Sequence, residues 1–223
     1  MDRITTFYSS SVGKKLLVGL TGFFLMSFLV VHLYINLFLF KPDGGHTFET
    51  YSEFMSTYPL IRPIEIVLFA GFLLHIILGA WLWFKNRQVR PTRYAVNRAS
   101  DNSALSSRIM FWTGTFVLVF LVIHINTFFI RSRFLDMTGT TMYDLVRAAF
   151  SNPWYNAFYI VALVFLGYHL RHGFQSAFQT YGIRGGKYQT LIDILAAFFW
   201  LVIPLAFASL PLYFLWAHLN GVN

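Results

Sequence analysis

Hydrophobic residues in this chain fall in long unbroken blocks, with none of the alternation that marks half-buried strands. Five blocks can be drawn, at approximately 16–40, 64–84, 109–130, 154–178 and 191–216. The first and third carry no charge, and the second carries only Glu65, at its edge. The fourth turns more polar toward Gln179, and the fifth contains Pro204 and Pro211, which predict bends that membrane helices tolerate. Each block approaches or exceeds the roughly 20 residues a helix needs to cross a bilayer. Polar connections marked by "KPDGG", "RPTRY", "MTGTT" and "GIRGGK" separate them. The pattern predicts an all-α integral membrane protein, a bundle of five transmembrane helices in one domain over residues 1–223.

Composition sharpens this picture. Only 12% of the 223 residues are charged, against about a quarter in soluble domains. There is no cysteine, so the chain alone builds no disulfide, thiolate zinc site or iron–sulfur cluster. The net charge of +8 could serve nucleic acid, but its placement argues otherwise. Segments 1–15, 85–108 and 171–193 hold twelve Lys and Arg, whereas 41–63, 131–153 and 217–223 hold five. This alternation predicts a cytoplasmic N-terminus and an outer C-terminus. The basic inner face, above all "KNRQVRPTRYAVNR", suits anionic lipid headgroups, a docked subunit or cofactor carboxylates.

Four of the five blocks contain a histidine in their apolar part: His32, His75, His124 and His169. At 1.5 Å per residue, His32 and His124 lie roughly 22–24 Å from the cytoplasmic edge, and His75 and His169 roughly 8–13 Å. They sort into two pairs at two depths. "FLVVH" ending at His32 nearly repeats as "FLVIH" ending at His124, and the steps to His75 and His169 are 43 and 45 residues. Two similar hairpins related by an axis along the membrane normal would set His32 opposite His124 and His75 opposite His169.

Ionisable residues inside a bilayer are costly and generally functional. A lone histidine could make a helix-to-helix hydrogen bond, but four at matched depths ask for more. Zinc or copper sites want clustered ligands, commonly with carboxylate or thiolate help that these spans lack. Two imidazoles facing across a gap suit the axial positions of a haem iron. Gly71 and Gly79, one turn either side of His75, and Gly173, one turn after His169, offer clearance for a flat macrocycle; close helix packing explains them equally. His172 is the rival of His169 as ligand, while His46 and His218 read as surface residues.

The segments "SSSVGKKLLVGLTGFFLMSFLVVHLYIN", "YSEFMSTYPLIRPIEIVLFAGFLLHIILGAW", "VFLVIHIN" and "GYHLRHGFQSAFQTYGI" resemble the membrane-anchor cytochrome b subunit of succinate dehydrogenase and fumarate reductase, in its single-subunit, two-haem form. The resemblance implies two haem b groups, with His32 and His124 as axial ligands of the outer one and His75 and His169 of the inner one. The fourth motif places the ligand four residues before Gly173, which favours His169 over His172. It also implies a flavoprotein subunit carrying FAD and an iron–sulfur subunit on the cytoplasmic face, and electron transfer between succinate and a quinone, with menaquinone favoured. The setting it implies is the inner (cytoplasmic) membrane of a prokaryote. Lys14, Lys15, Arg87, Arg90 and Arg93 are then candidates for docking or propionate contacts.

Quinone chemistry moves protons, so a carboxylate, His or Tyr is expected beside that site. By resemblance the site lies near the outer haem, which makes His46, Glu49, Tyr51 and Glu53 the candidates, with Glu53 first; a solvated loop is the plainer explanation. Two other readings stay open from the residues. A hydrogenase or formate dehydrogenase cytochrome b would share the haems and differ in its soluble partners. A haem-free proton-coupled transporter would need buried charges along a path, and the spans hold almost none.

Overall fold

The computed structural model describes residues 10–88, 105–135 and 138–221. Among them there are helices and turns and no strand. The elements are α1 Ser11–Asn36, extended by a 3-10 turn Leu37–Phe40, then α2 His46–Thr57, α3 Ile61–Gln88 and α4 Leu105–His124. A π-helical turn, Ile125–Ile130, joins α4 to α5 Arg131–Phe134. Then come α6 Met142–Ser151, α7 Pro153–Thr180, α8 Gln189–Ala197 and α9 Ile203–Leu219, the last two joined by a π turn at Phe198–Val202. Among the described residues five stretches are long and apolar enough to span a bilayer: Ser11–Phe40, Ile61–Gln88, Ile109–Phe134, Pro153–Thr180 and Gln189–Leu219.

These spans run longer than the apolar blocks because caps, not hydropathy, set their ends. Ser10 starts α1 by accepting the Gly13 N–H at 3.0 Å, which draws Lys14 and Lys15 into the helix. Asn152 caps α7 through Trp154 N and Tyr155 N, with Pro153 at the first helical position. The connection after "MTGTT" contains the helix α6. Thr141 and Asp144 form a reciprocal capping box for α6.

α1 packs on α3, α4 packs on α7, and α7 also touches α1, α6 and α9, so α7 is the central helix. Its buried residues, Asn156, Tyr159, Leu163, Gly167, Leu170, Phe174 and Ala177, form one stripe at helical spacing. The outward faces of α1, α3 and α4 keep exposed Val, Leu and Ile, as lipid contact requires. Pro204 has no N–H for the carbonyl of Trp200, and the helix widens into the π turn there. That carbonyl faces Gly167, where a Cβ would come within 2.8 Å. Only glycine lets α7 approach so closely.

Two hydrophobic clusters mark the ends of the bundle. One gathers Leu39, Phe48, Val146, Phe150, Tyr159, Leu210 and Phe214 beneath α2 and α6; the other gathers Met26, Leu170, Phe174, Ile192 and Ala196. The described connections between spans contain glycines in left-handed conformation. At Gly45 (φ 89°) a side chain would also collide with the Tyr143 ring.

Candidate functional site

The four intramembrane histidines form two facing pairs. His32 on α1 meets His124 at the end of α4, with ring centroids 5.7 Å apart and planes at 89°. His75 on α3 meets His169 on α7 at 6.2 Å and 71°. The Gly22 backbone lies against His75 and that of Gly114 against His169, with Cβ positions 3.4 and 3.3 Å from the imidazole Cε1 atoms. Gly22 and Gly114 each precede a histidine of the other pair, His32 and His124, by ten residues. Ten residues of helix rise about 15 Å, which is the separation of the two pairs along the bundle.

Each hairpin therefore carries the same device. A glycine and a histidine ten residues apart on the first helix seat the second helix's imidazole on the glycine and face the other hairpin's imidazole from the histidine. Gly22 and Gly114 escaped the sequence reading, which looked for glycines beside His75 and His169 along their own helices, although the Gly–His spacing repeats in the sequence. Of the glycines it did choose, Gly79 has nothing within 4 Å and Gly173 only the Met110 methyl at 3.9 Å. Gly71 does not offer clearance: a Cβ there would sit 2.9 Å from the Phe24 ring, so this glycine serves helix packing.

The surroundings of the rings differ. Thr21 Oγ1 donates to the Leu17 carbonyl at 2.9 Å and lies 3.2 Å from His75 Nδ1. With its own hydrogen spent on Leu17, the threonine oxygen accepts from Nδ1–H and leaves Nε2 with a free lone pair. The Tyr159 hydroxyl is 2.8 Å from His124 Nδ1. Asn36 donates to the His32 carbonyl at 2.8 Å and reaches its Nδ1 only at 3.5 Å. His169 Nδ1 is buried with no hydrogen-bond partner, an arrangement that costs about 1–3 kcal/mol. Phe28 and Phe207 flank His32, and Phe120 and Phe128 flank His124.

These residues fit a haem iron. Two imidazoles held through nitrogen by one metal at about 2 Å each place their centroids roughly 6 Å apart, close to both observed spacings. Open backbone beside Gly79 and Gly173 leaves room at the His75–His169 pair. Among the described residues no group of three or more His, Asp or Glu is gathered, and a two-histidine haem site needs none. Nor do the histidines form a file across the bundle. They stand as two pairs, and Phe116, Phe120, Phe158 and Phe165 pack against one another along α4 and α7.

The remaining candidates lie apart. His172 makes no ring contact with either pair among the described residues. His46 is exposed at the start of α2, and His218 is exposed in the last turn of α9. Glu49 accepts the Tyr143 N–H and so ties α2 to α6. Tyr51 stacks on Phe38 at 4.4 Å, and Glu53 is exposed. None of these lines the cavity of about 310 Å³ near the His32–His124 pair, whose wall is Asn126, Thr127, Arg131, Leu145, Ala148, Ala149, Asn152 and Tyr155. The π turn after His124 presents Asn126 and Thr127 to it, and α6 closes its side. That feature has no signature in hydropathy. A second polar group nearby joins Arg133 and Arg62 to the Ser56 carbonyl, at 2.7 and 3.1 Å, and to Glu65, at 3.5 and 2.9 Å.

At the opposite end, Lys14 and Lys85 lie over the Trp81 ring, Arg87 over Trp83 and Arg171 over Trp200, an interfacial arrangement of cation and aromatic. Lys15 is exposed. Arg90 and Arg93 lie outside the described residues.

The chain is similar to the succinate dehydrogenase cytochrome b558 subunit of Bacillus subtilis (strain 168), with 26% identity over 180 residues, 76% of this chain and 82% of that one. No family model matches the chain, and no solved structure does. The likeness covers most of both chains and bears out the resemblance to a succinate dehydrogenase cytochrome b subunit. With the five apolar helices it describes a multi-pass membrane protein.

Proposed function

We propose that the chain is the membrane anchor of a succinate:quinone oxidoreductase and holds two haem b groups, one between His32 and His124 and one between His75 and His169. The observation that carries this is the pair of facing imidazole couples, both near the spacing of trans axial ligands, in a chain similar to a succinate dehydrogenase cytochrome b subunit. When bound, haem supplies a one-electron carrier at each level, and two levels about 15 Å apart divide the crossing into short steps. The chain's own part is to hold and orient. Thr21 fixes the His75 tautomer, Gly22 and Gly114 seat the inner rings, and the phenylalanines keep water from the outer rings.

The Lys14, Lys85, Arg87 and Arg171 end is the cytoplasmic face in this reading, where a flavoprotein and an iron–sulfur subunit dock. The His46–Glu53 segment and the Asn126–Tyr155 cavity lie at the outer face, where the quinone, menaquinone by preference, exchanges protons. Glu53 is the exposed carboxylate proposed to assist there, and Glu53→Gln is expected to slow quinone turnover while leaving haem content unchanged. The deciding experiment is a reduced-minus-oxidised spectrum with a pyridine haemochrome assay on the purified complex. Two b haems per chain are expected, falling to one in His32→Ala and to one, spectrally different, in His75→Ala. A folded wild-type complex without haem overturns the proposal.

A further inference from the structure

The hydrogen bond at His124 belongs to a longer chain of groups. Tyr159 is 5% exposed and meets His124 Nδ1 at 2.8 Å. Tyr155, one turn earlier on α7, donates its hydroxyl hydrogen to the Tyr159 oxygen at 3.1 Å. Tyr155 also lines the outer cavity, beside Asn126, Thr127, Arg131 and Asn152. An unbroken row of polar atoms thus runs from a cavity wall to the back of one imidazole. Neither His75 nor His169 has an equivalent, since Thr21 ends on its own helix and His169 Nδ1 ends on nothing.

We infer that Tyr159 is a positioning residue that sets the outer haem's potential through His124, and that Tyr155 weakens its grip from the cavity side. The inference rests on the haem reading above. Iron at Nε2 requires the imidazole proton on Nδ1, and the Tyr159 oxygen has a second lone pair for it beside the one Tyr155 engages. A hydrogen bond accepted from Nδ1–H raises the basicity of a ligating imidazole, which favours the oxidised iron and lowers the potential. Two donors on one oxygen compete, because each draws on the density the other uses. Removing Tyr159 and removing Tyr155 must therefore act with opposite sign.

The test is a spectroelectrochemical measurement of both haems in the purified complex of wild type, Tyr159→Phe and Tyr155→Phe, with His32→Ala assigning the outer component. Tyr159→Phe is expected to keep two haems and to raise the outer potential by about tenfold in the oxidised-to-reduced ratio, about 59 mV for one electron. Tyr155→Phe is expected to lower it by less, and the inner potential stays in place in both. An unmoved outer potential in Tyr159→Phe, or a shift of the same sign in both variants, overturns the inference and leaves a packing role. If Tyr159→Phe loses the outer haem, the sign in Tyr155→Phe decides: downward supports, zero or upward overturns. Wild type without haem overturns the underlying reading, whereas haem present with no shift overturns this inference alone.

Discussion

The two histidine pairs share a scaffold and differ in what stands behind it. Both are built from a histidine on the first helix of each hairpin or on the second, at near-equal ring spacing. The His75–His169 pair, inner in the proposed orientation, is seated on bare backbone at Gly22 and Gly114, with Thr21 at His75 Nδ1 and no partner at His169 Nδ1. The outer pair is backed by side chains: Tyr159, Tyr155 and Asn36, with a polar cavity and the α2 and α6 helices beyond. The contrast teaches that position and tuning are separate problems here. The inner site is positioned by steric fit and one threonine, and the outer one adds a longer row of adjustable polar contacts. Different electronic properties can then arise from one repeated geometry.

The sharpest way to break the comparison is to spoil the steric seat. A Cβ at Gly114 falls 3.3 Å from His169 Cε1, and one at Gly22 falls 3.4 Å from His75 Cε1. Valine adds methyl groups directly against those rings, with no helix-propensity cost relative to glycine. Gly114→Val is expected to remove about one haem per chain, the inner one, and to leave the outer spectrum unchanged. Gly22→Val should do the same. Gly79→Ala meets open space and should leave the haem count nearly unchanged. Loss of the outer haem first would show that the glycines serve general packing and not the inner seat.

The sequence displayed the two pairs because depth in a helix follows from counting, and because "FLVVH" and "FLVIH" repeat. It displayed the five spans for the same reason, with ends misplaced wherever a cap outran the hydropathy, as Ser10 does for α1. Gly22 and Gly114 were within reach, since the ten-residue step to His32 and His124 is readable, but only packing reveals that a glycine on one helix serves a histidine on its neighbour. Tyr159 was out of reach. It is one of twelve tyrosines, and nothing along the chain marks it as facing His124 across two helices. The cavity escaped because it arises where α4 loosens into a π turn, and α6 because its capping box was taken for a loop.

A second prediction tests whether the outer site depends on polar brackets. Asn156 is 2% exposed and donates to the carbonyls of Phe150 at 3.0 Å and Pro211 at 2.5 Å, joining α6, α7 and α9 on the α6 side of the His32–His124 pair. Asn156→Leu has similar bulk and leaves both carbonyls short of a donor, at a cost of about 1–3 kcal/mol. On a thermal ramp followed through the two haem bands, the outer band should bleach earlier than in wild type while the inner band moves less. Equal advances would mean that the two ends melt as one unit and that the division between them is electronic only.

The smallest effect concerns the cap over the outer end, and it carries a definite sign in pH. Thr141 donates to Asp144 from its N–H and hydroxyl, at 2.9 and 2.7 Å, and these bonds hold the carboxyl below its ordinary value. Asp43 is depressed likewise, chiefly by the Thr47 hydroxyl and also by the N–H groups of Thr47 and Gly45. A depressed folded value means that the stabilisation is complete above the unfolded carboxylate range and is lost as pH falls through the lower, folded values. Hydrogen exchange at the first turns of α2 and α6 should therefore be insensitive between pH 7 and 5, then accelerate below about pH 4, with the amides of the inner half of α7 unaffected. Both carboxylates are exposed, so the change should be modest. Its confinement to the cap is what matters, because acceleration spreading into the inner half of α7 would tie the inner seat to the outer brackets after all.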